Sequence, residues 1–273
     1  MQHQEIETPE ALRDAILCFW YVNFDAEEIE PSIEVLPDGH AEIIFFFGSG
    51  CSIATPTGLQ VLSSPFLVGL LEQPVVLHAK ERLQVIGVKC LPWAVFDLLG
   101  LPSGKDGVRM FEHPVAQLQA TLAQYIREGQ VQQALQHVQQ YFLDAKLQVA
   151  ADTMLYKAGV AMRNANGTLP VNQVALAANA TVRTLERNFK QSSGYTVKDV
   201  SGLMRFEQAR NQLWLHPEVK LAGLAQELGY ADQAHLSREF KRYSGVTPTM
   251  FARKAKRGKD LVKNGFASFI PLA

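Results

Sequence analysis

The chain has 273 residues, 47% of them apolar and 19% charged, which suits about two globular domains and excludes a disordered chain. Its formal net charge of −1 conceals two opposite halves: residues 1–151 carry 8 Lys+Arg against 18 Asp+Glu, and residues 152–273 carry 18 against 9. A polyanion is therefore expected to meet only the second half, and the longest apolar run, near Ile43–Phe47, falls far short of the about 20 residues of a membrane helix.

Residues 1–112 read as strands and turns. Met1-Gln2-His3-Gln4-Glu5 lacks the basic stretch and apolar core of a signal peptide, so a soluble, cytoplasmic protein is expected. Apolar runs such as Ile43–Phe47, Phe66-Leu67-Val68, Val75-Val76-Leu77 and Val85–Val88 alternate with turn residues, among them Pro37-Asp38-Gly39 and Gly48-Ser49-Gly50. Many short strands at this spacing predict a sandwich or barrel. Pro92 to Gly100 is an exception, with Trp93, Phe96 and Leu99 at helical spacing and Gly100 placed to cap. Cys18, Cys51 and Cys90 form no C-x-x-C, which fits a reducing compartment and argues against a disulfide framework or a zinc knuckle.

From Pro114 to Phe142 the period becomes helical. Val115, Leu118, Leu122 and Ile126 make one stripe, and Val131, Leu135, Val138 and Phe142 make another after Gly129. The glutamine-rich opposite face leaves two readings for residues 113–145: a hairpin that covers the sheet, or a seam between two copies of the chain. A helix through Leu147, Ala151, Met154, Leu155, Ala158 and Met162 is expected next, with a turn at Asn164-Ala165-Asn166-Gly167.

The last third repeats itself. Leu185-Glu186-Arg187-Asn188-Phe189-Lys190-Gln191-Ser192-Ser193-Gly194-Tyr195-Thr196 returns 51 residues later as Leu236-Ser237-Arg238-Glu239-Phe240-Lys241-Arg242-Tyr243-Ser244-Gly245-Val246-Thr247. Two copies are too few for a solenoid, which needs about three repeats or more. Each has the parts of a helix-turn-helix. In the second copy Leu224 and Ala225 lie in the first helix, Gly229 makes the turn, Asp232 caps, and Leu236 and Phe240 face inward. Gln233, Ala234, Ser237 and Arg238 are left facing out, a set able to read adenine, a thymine methyl and guanine. In the first copy the parts are Val174, Ala175, Asn179, Thr181, Leu185 and Phe189, and the outward set is Val182, Arg183, Glu186 and Arg187. Asn179 tolerates the left-handed backbone that a glycine would otherwise supply. Val200, Leu203, Phe206, Ala209 and Leu213 mark a helix between the copies. Its ~18 residues span ~27 Å, near the ~34 Å between successive major grooves on one DNA face. Unlike heads on one rod predict a non-palindromic double-stranded DNA site. Lys190, Lys198, Arg205, Arg210, Lys241 and Arg242 are the expected phosphate contacts.

The run from Gly229-Tyr230-Ala231-Asp232 through Leu236-Ser237-Arg238-Glu239-Phe240 to Gly245-Val246-Thr247-Pro248 resembles the C-terminal motif of AraC/XylS-type transcriptional regulators over roughly residues 152–253. The resemblance implies one DNA-binding module of two helix-turn-helix units joined by a long helix, with bases read by Arg183, Glu186, Arg187, Gln233, Ala234, Ser237 and Arg238. The first unit departs from the pattern at Asn179 and at Val197, which stands where the second has Pro248. Val35-Leu36-Pro37-Asp38-Gly39, Glu42–Phe45 and Gly87-Val88-Lys89 before Pro92-Trp93 resemble a sensing domain found in some of these regulators, which implies a cupin-like barrel and a small-molecule effector.

The fold class expected is thus α+β: a β-rich sensing domain over residues 1–112, a helical hairpin over 113–145, an all-α domain of two helix-turn-helix units over 152–253, and a tail over 254–273. Homodimerisation and contact with RNA polymerase stay open as partners, and no cofactor, metal or membrane is expected. Three alternatives remain beside the effector reading. A catalytic methyl acceptor would need clustered zinc-thiolate cysteines, which the spacing denies. A metal or redox sensor would use Cys18, Cys51, Cys90, His40 or His78, and a third version of the domain only dimerises. Phe45-Phe46-Phe47 reads as core before it reads as a ligand cavity. The tail, with Lys254, Lys256, Arg257 and Lys259, either follows the DNA backbone or is a solvated extension, and Phe266 to Leu272 is apolar enough to fold back.

Overall fold

Strand-by-strand alternation builds the first half of the molecule. A computed structural model describes residues 2–24, 32–48, 50–55, 57–79, 83–101, 104, 107–146, 153–258 and 269–271. The strands are β1 (Gln2–Ile6), β2 (Ile16–Phe24), β3 (Ser32–Val35), β4 (Ala41–Phe47), β5 (Cys51–Thr55), β6 (Gly58–Leu62), β7 (Phe66–Val68), β8 (Val75–Ala79) and β9 (Leu83–Cys90). Helix α1 (Pro92–Leu99) follows, ended by Gly100 at φ 66°, and then β10 (Val108–Met110).

One sheet runs β1-β2-β9-β4-β7-β10. The other runs β3-β8-β5-β6 and is extended at β3 by β11 (Phe269–Pro271), so the end of the chain does return to a domain. The sandwich or barrel expected from sequence takes the form of two stacked sheets. Central β4 explains the stacking: Ile44 and Phe46 point to the second sheet with Trp20, Phe66 and Leu77, while Ile43, Phe45 and Phe47 point to the helices. A strand buried on both faces reads as an unbroken apolar run. Gly87, opposite Trp20 on the neighbouring strand, leaves room for the indole; a Cβ there would overlap it.

Helices α2 (Leu118–Arg127) and α3 (Val131–Lys146) close the free face of the six-stranded sheet, separated at Gly129 with φ 72°. Ala134, Leu135, Val138 and Phe142 are fully buried within the chain, and the Phe142 ring lies 6.1 Å from that of Phe19. The apolar stripe is therefore spent on the sheet. A seam between two copies would therefore have to use the glutamine-rich outer face of the hairpin.

The second half is α4 (Met154–Asn164), α5 (Val171–Ala177), α6 (Val182–Ser193), α7 (Val197–Leu215), α8 (Leu221–Glu227), α9 (Gln233–Ser244) and α10 (Pro248–Gly258). Leu147 and Ala151, expected in the helix that begins here at Met154, lie outside the described residues, as do 259–268 of the tail. The two halves share one continuous core. Trp93 of α1 packs against Phe189 of α6 at 5.7 Å, and Gly159 of α4 lies under the same indole, where a Cβ would overlap it. The Tyr195 hydroxyl donates to the Leu70 carbonyl at 3.0 Å, and Arg210 Nη1 donates to the Pro37 carbonyl at 2.9 Å.

Candidate nucleic-acid interface

The sequence builds each reading unit from its caps inward. Thr181 accepts from the Thr184 amide at 3.2 Å to start α6, and Asp232 accepts from the His235 amide at 2.6 Å to start α9. Such caps satisfy amides that a helix start leaves without partners. Gly194 and Gly245 end the same helices at φ 80° and 73°. The turns before them hinge on Asn179 at φ 52° and Gly229 at φ 71°, so asparagine occupies the left-handed position as expected. Leu185, Phe189, Leu236 and Phe240 are fully buried.

Between the units, α7 runs 19 residues, about 28 Å at 1.5 Å each. A reciprocal capping box opens it: the Asp199 amide donates to Thr196 Oγ1 and the Thr196 amide to Asp199 Oδ2, both at 3.1 Å. Val197, in place of proline, is the first residue of α7, as Pro248 is of α10.

Of the residues expected to read bases, Arg183 and Arg187 on α6 and Gln233, Ala234 and Arg238 on α9 are exposed. Ser237 is half-buried. Glu186 is half-buried too, and its Oε2 accepts from the Val197 amide at 3.3 Å, which ties it to the start of α7. The phosphate set divides. Lys190, Lys198, Lys241 and Arg242 are exposed. Arg210 is 1% exposed and turned toward the N-terminal domain, so a phosphate contact there is excluded by burial. Arg205 is engaged elsewhere as well: Nη1 donates to the Gly167 carbonyl at 2.9 Å, Nη2 reaches both Glu239 oxygens at 3.3 Å, and the guanidinium lies 5.3 Å from the Tyr230 ring centre. It braces the linker helix against the second unit. A groove of about 570 Å3 separates Arg238, Lys241 and Arg242 from Gln73 and Pro74 of the N-terminal domain.

Sequence reading missed a charged cluster at the junction of the halves. Lys89 Nζ lies 2.7 Å from Asp38 Oδ2 and 3.8 Å from Glu42 Oε1, and His40 Nδ1 lies 3.4 Å from Glu207 Oε1 on α7. Burial works against charge at every one of these groups. It would raise the Asp38 carboxyl, but Lys89, His40 and Arg210 hold it well below its ordinary value. It would depress His40, but Glu207 brings the imidazole up to about 9 and is itself held down to about 2. Burial prevails at Glu42, which rises to about 7. The signal available in the sequence was Glu42 inside an otherwise apolar strand, next to Asp38-Gly39-His40.

All three cysteines are free thiols, and Cys51 sits in the opposite sheet from Cys18 and Cys90. Burial pushes the Cys18 thiol up to about 12 and that of Cys51 up to about 11, conditions that suppress the thiolate.

These elements define a class: a double helix-turn-helix protein with two unlike reading units on one rod, set against a β-rich N-terminal domain. Residues 174–254 match the family model of a helix-turn-helix domain, and residues 4–105 match that of a domain of unknown function, DUF6597. Over that C-terminal stretch the matches support a helix-turn-helix domain of the AraC/XylS type. The chain is 34% identical over 71 residues to the uncharacterized transcriptional regulatory protein YesN of Bacillus subtilis, a stretch that is 26% of this chain and 19% of that protein. It is 32% identical over 82 residues to the HTH-type transcriptional regulator RipA of Corynebacterium diphtheriae, 30% of this chain and 24% of that one. The match thus spans a quarter or less of the length of these curated relatives. The fold of unsaturated-fatty-acid-bound ToxT from Vibrio cholerae is similar over 90% of this chain and 96% of that one, with a TM-score of 0.50 and 11% identity. Among the described residues, no helix is long and apolar enough to cross a membrane.

Proposed function

We propose that the chain is a sequence-specific DNA-binding transcriptional regulator whose N-terminal domain acts on the double helix-turn-helix in response to a small molecule. The observation that carries this reading is the pair of capped helices α6 and α9, which keep their apolar faces buried and turn unlike polar sets outward: Arg183 and Arg187 on one, Gln233, Ala234, Ser237 and Arg238 on the other. Arginine paired to guanine and glutamine to adenine supply direct readout, while Lys190, Lys198, Lys241 and Arg242 supply the salt-dependent attraction to phosphates. Glu186 takes part only if its bond to the Val197 amide opens, so it is the weakest member of the base-reading set.

Control by the N-terminal domain is supported by the shared core. A change in the packing of Trp93 reaches α6 directly through Phe189, and the Leu70 and Pro37 carbonyls hold Tyr195 and Arg210 just before and within α7. The space between the two sheets, lined by Trp20, Phe46, Phe66 and Leu77, is about 20 Å3, room for about one water and not for a metabolite. An effector therefore enters by repacking those side chains or binds at the junction. The test is a mobility-shift titration of the full chain on DNA upstream of its own gene. A specific complex that weakens steeply with salt and responds to a metabolite in the same pool that raises the melting temperature supports the reading. Absence of a salt-sensitive specific complex under every condition overturns it.

A further inference from the structure

The junction cluster holds a group that its surroundings leave incomplete. His40 is 9% exposed, and its Nδ1 has no hydrogen-bond partner among the described residues. That nitrogen faces two carboxylate oxygens, Asp38 Oδ1 at 3.8 Å and Glu207 Oε1 at 3.4 Å. Both separations exceed the about 2.7–3.2 Å of a hydrogen bond. They approach the about 3.0–3.6 Å that separates neighbouring donors held at about 2.0–2.2 Å from one metal ion. The three donor atoms lie within 4.8 Å of one another. Asp38 Oδ1 is also fixed by the His40 backbone amide at 3.0 Å, which sets the two ligands on one tight turn before β4.

We propose that Asp38, His40 and Glu207 form a binding site for a divalent first-row transition cation, with Zn2+ the cation that best suits its donors. One imidazole nitrogen and two carboxylate oxygens, with no thiolate, select such an ion over copper(I), and the imidazole selects it over magnesium or calcium. The ion would take the place of the proton that His40 otherwise holds between Asp38 and Glu207, so binding adds one unit of charge rather than two to a cluster of three carboxylates beside Lys89 and Arg210. Three protein ligands leave a position for water, as in exchangeable zinc sites and unlike closed structural ones. Asp38 and His40 come from the N-terminal domain and Glu207 from α7, so the ion ties the sensing domain to the rod that carries both reading heads. The sequence offered His40 as one residue of an alternative metal or redox sensor but did not join it to Glu207, which lies 167 residues away. The inference is independent of the proposed DNA binding, since it is read on the protein alone.

The experiment is calorimetric titration of chelator-treated full-length chain with ZnCl2, joined to Co2+ visible absorption, which reports ligand number. One Zn2+ per chain is expected, with Mg2+ not binding. His40→Ala and Glu207→Gln should each weaken zinc at least about tenfold, and His216→Ala, on an exposed residue, should leave it unchanged. Lys89→Gln keeps a donor for Asp38 and removes the competing ammonium, so it should bind zinc more tightly, an effect that misfolding does not produce. No saturable binding, equal binding of Mg2+, or an affinity indifferent to His40→Ala, Glu207→Gln and Lys89→Gln overturns the site.

Discussion

Arg210 and Lys241 carry the same charge in the sequence and do opposite things in the molecule. Arg210 is held against the Pro37 carbonyl with Glu207 beside it, so Arg210→Ala leaves a buried carboxylate less compensated and should lower unfolding stability by about 3–5 kcal/mol. The salt dependence of DNA binding should keep its slope. Lys241→Ala should do the reverse, sparing stability in a denaturant melt and reducing the slope of log K against log salt by about 0.9. An unchanged melt for Arg210→Ala would contradict the burial assigned to it. A basic residue can be counted from sequence, but whether it meets solvent depends on a domain contact 173 residues away, which no local pattern encodes. The thiols offer a further check at this scale. With Cys18 pushed up to about 12 and Cys51 to about 11 by burial, each is neutral near pH 8 and becomes a thiolate only as pH approaches those values. Native protein should therefore react with iodoacetamide more than about a hundredfold more slowly than an unfolded control at pH 8. Comparable rates would bring the thiol-sensing alternative back.

The elements were more legible than the residues, because caps and periodicity are local. Asn179, Thr181, Asp232 and Gly229 stand where turn and cap chemistry placed them, and α1 ends at the Gly100 that its spacing indicated. Asn179→Ala should cost about 1–2 kcal/mol by forcing a Cβ-bearing residue without a compensating side chain into φ 52°, while Asn179→Gly should be tolerated. Equal melts for the two variants would sink the left-handed turn. What the pattern could not give was the destination of a stripe. Leu135, Val138 and Phe142 read the same whether they cover a sheet or face another chain, and only a tertiary contact such as that of Phe142 with Phe19 shows them covering the sheet. Gly159 was equally silent in sequence. Its role is to let Trp93 approach α4, so Gly159→Ala should destabilise by about 1–3 kcal/mol and loosen the junction, read as faster amide exchange in α1 and α4.

At the scale of the whole molecule, two unlike heads ride on a 19-residue rod that is itself clamped to the N-terminal domain by apolar packing and by the cluster around Glu207. The division into an acidic and a basic half was visible from charge, but not the junction, because its ion pairs link residues from Asp38 to Glu207 that share no motif. Unlike heads on one rod require an asymmetric DNA site. That asymmetry is tested most directly by selecting the full chain's preferred sites from random duplex DNA, alongside the Arg187→Ala and Arg238→Ala variants. A non-palindromic site of two different elements about one helical turn apart is expected, with Arg187→Ala relaxing preference in one element and Arg238→Ala in the other, each by about 1–3 kcal/mol. A palindromic site, or two variants that relax the same element, would contradict it.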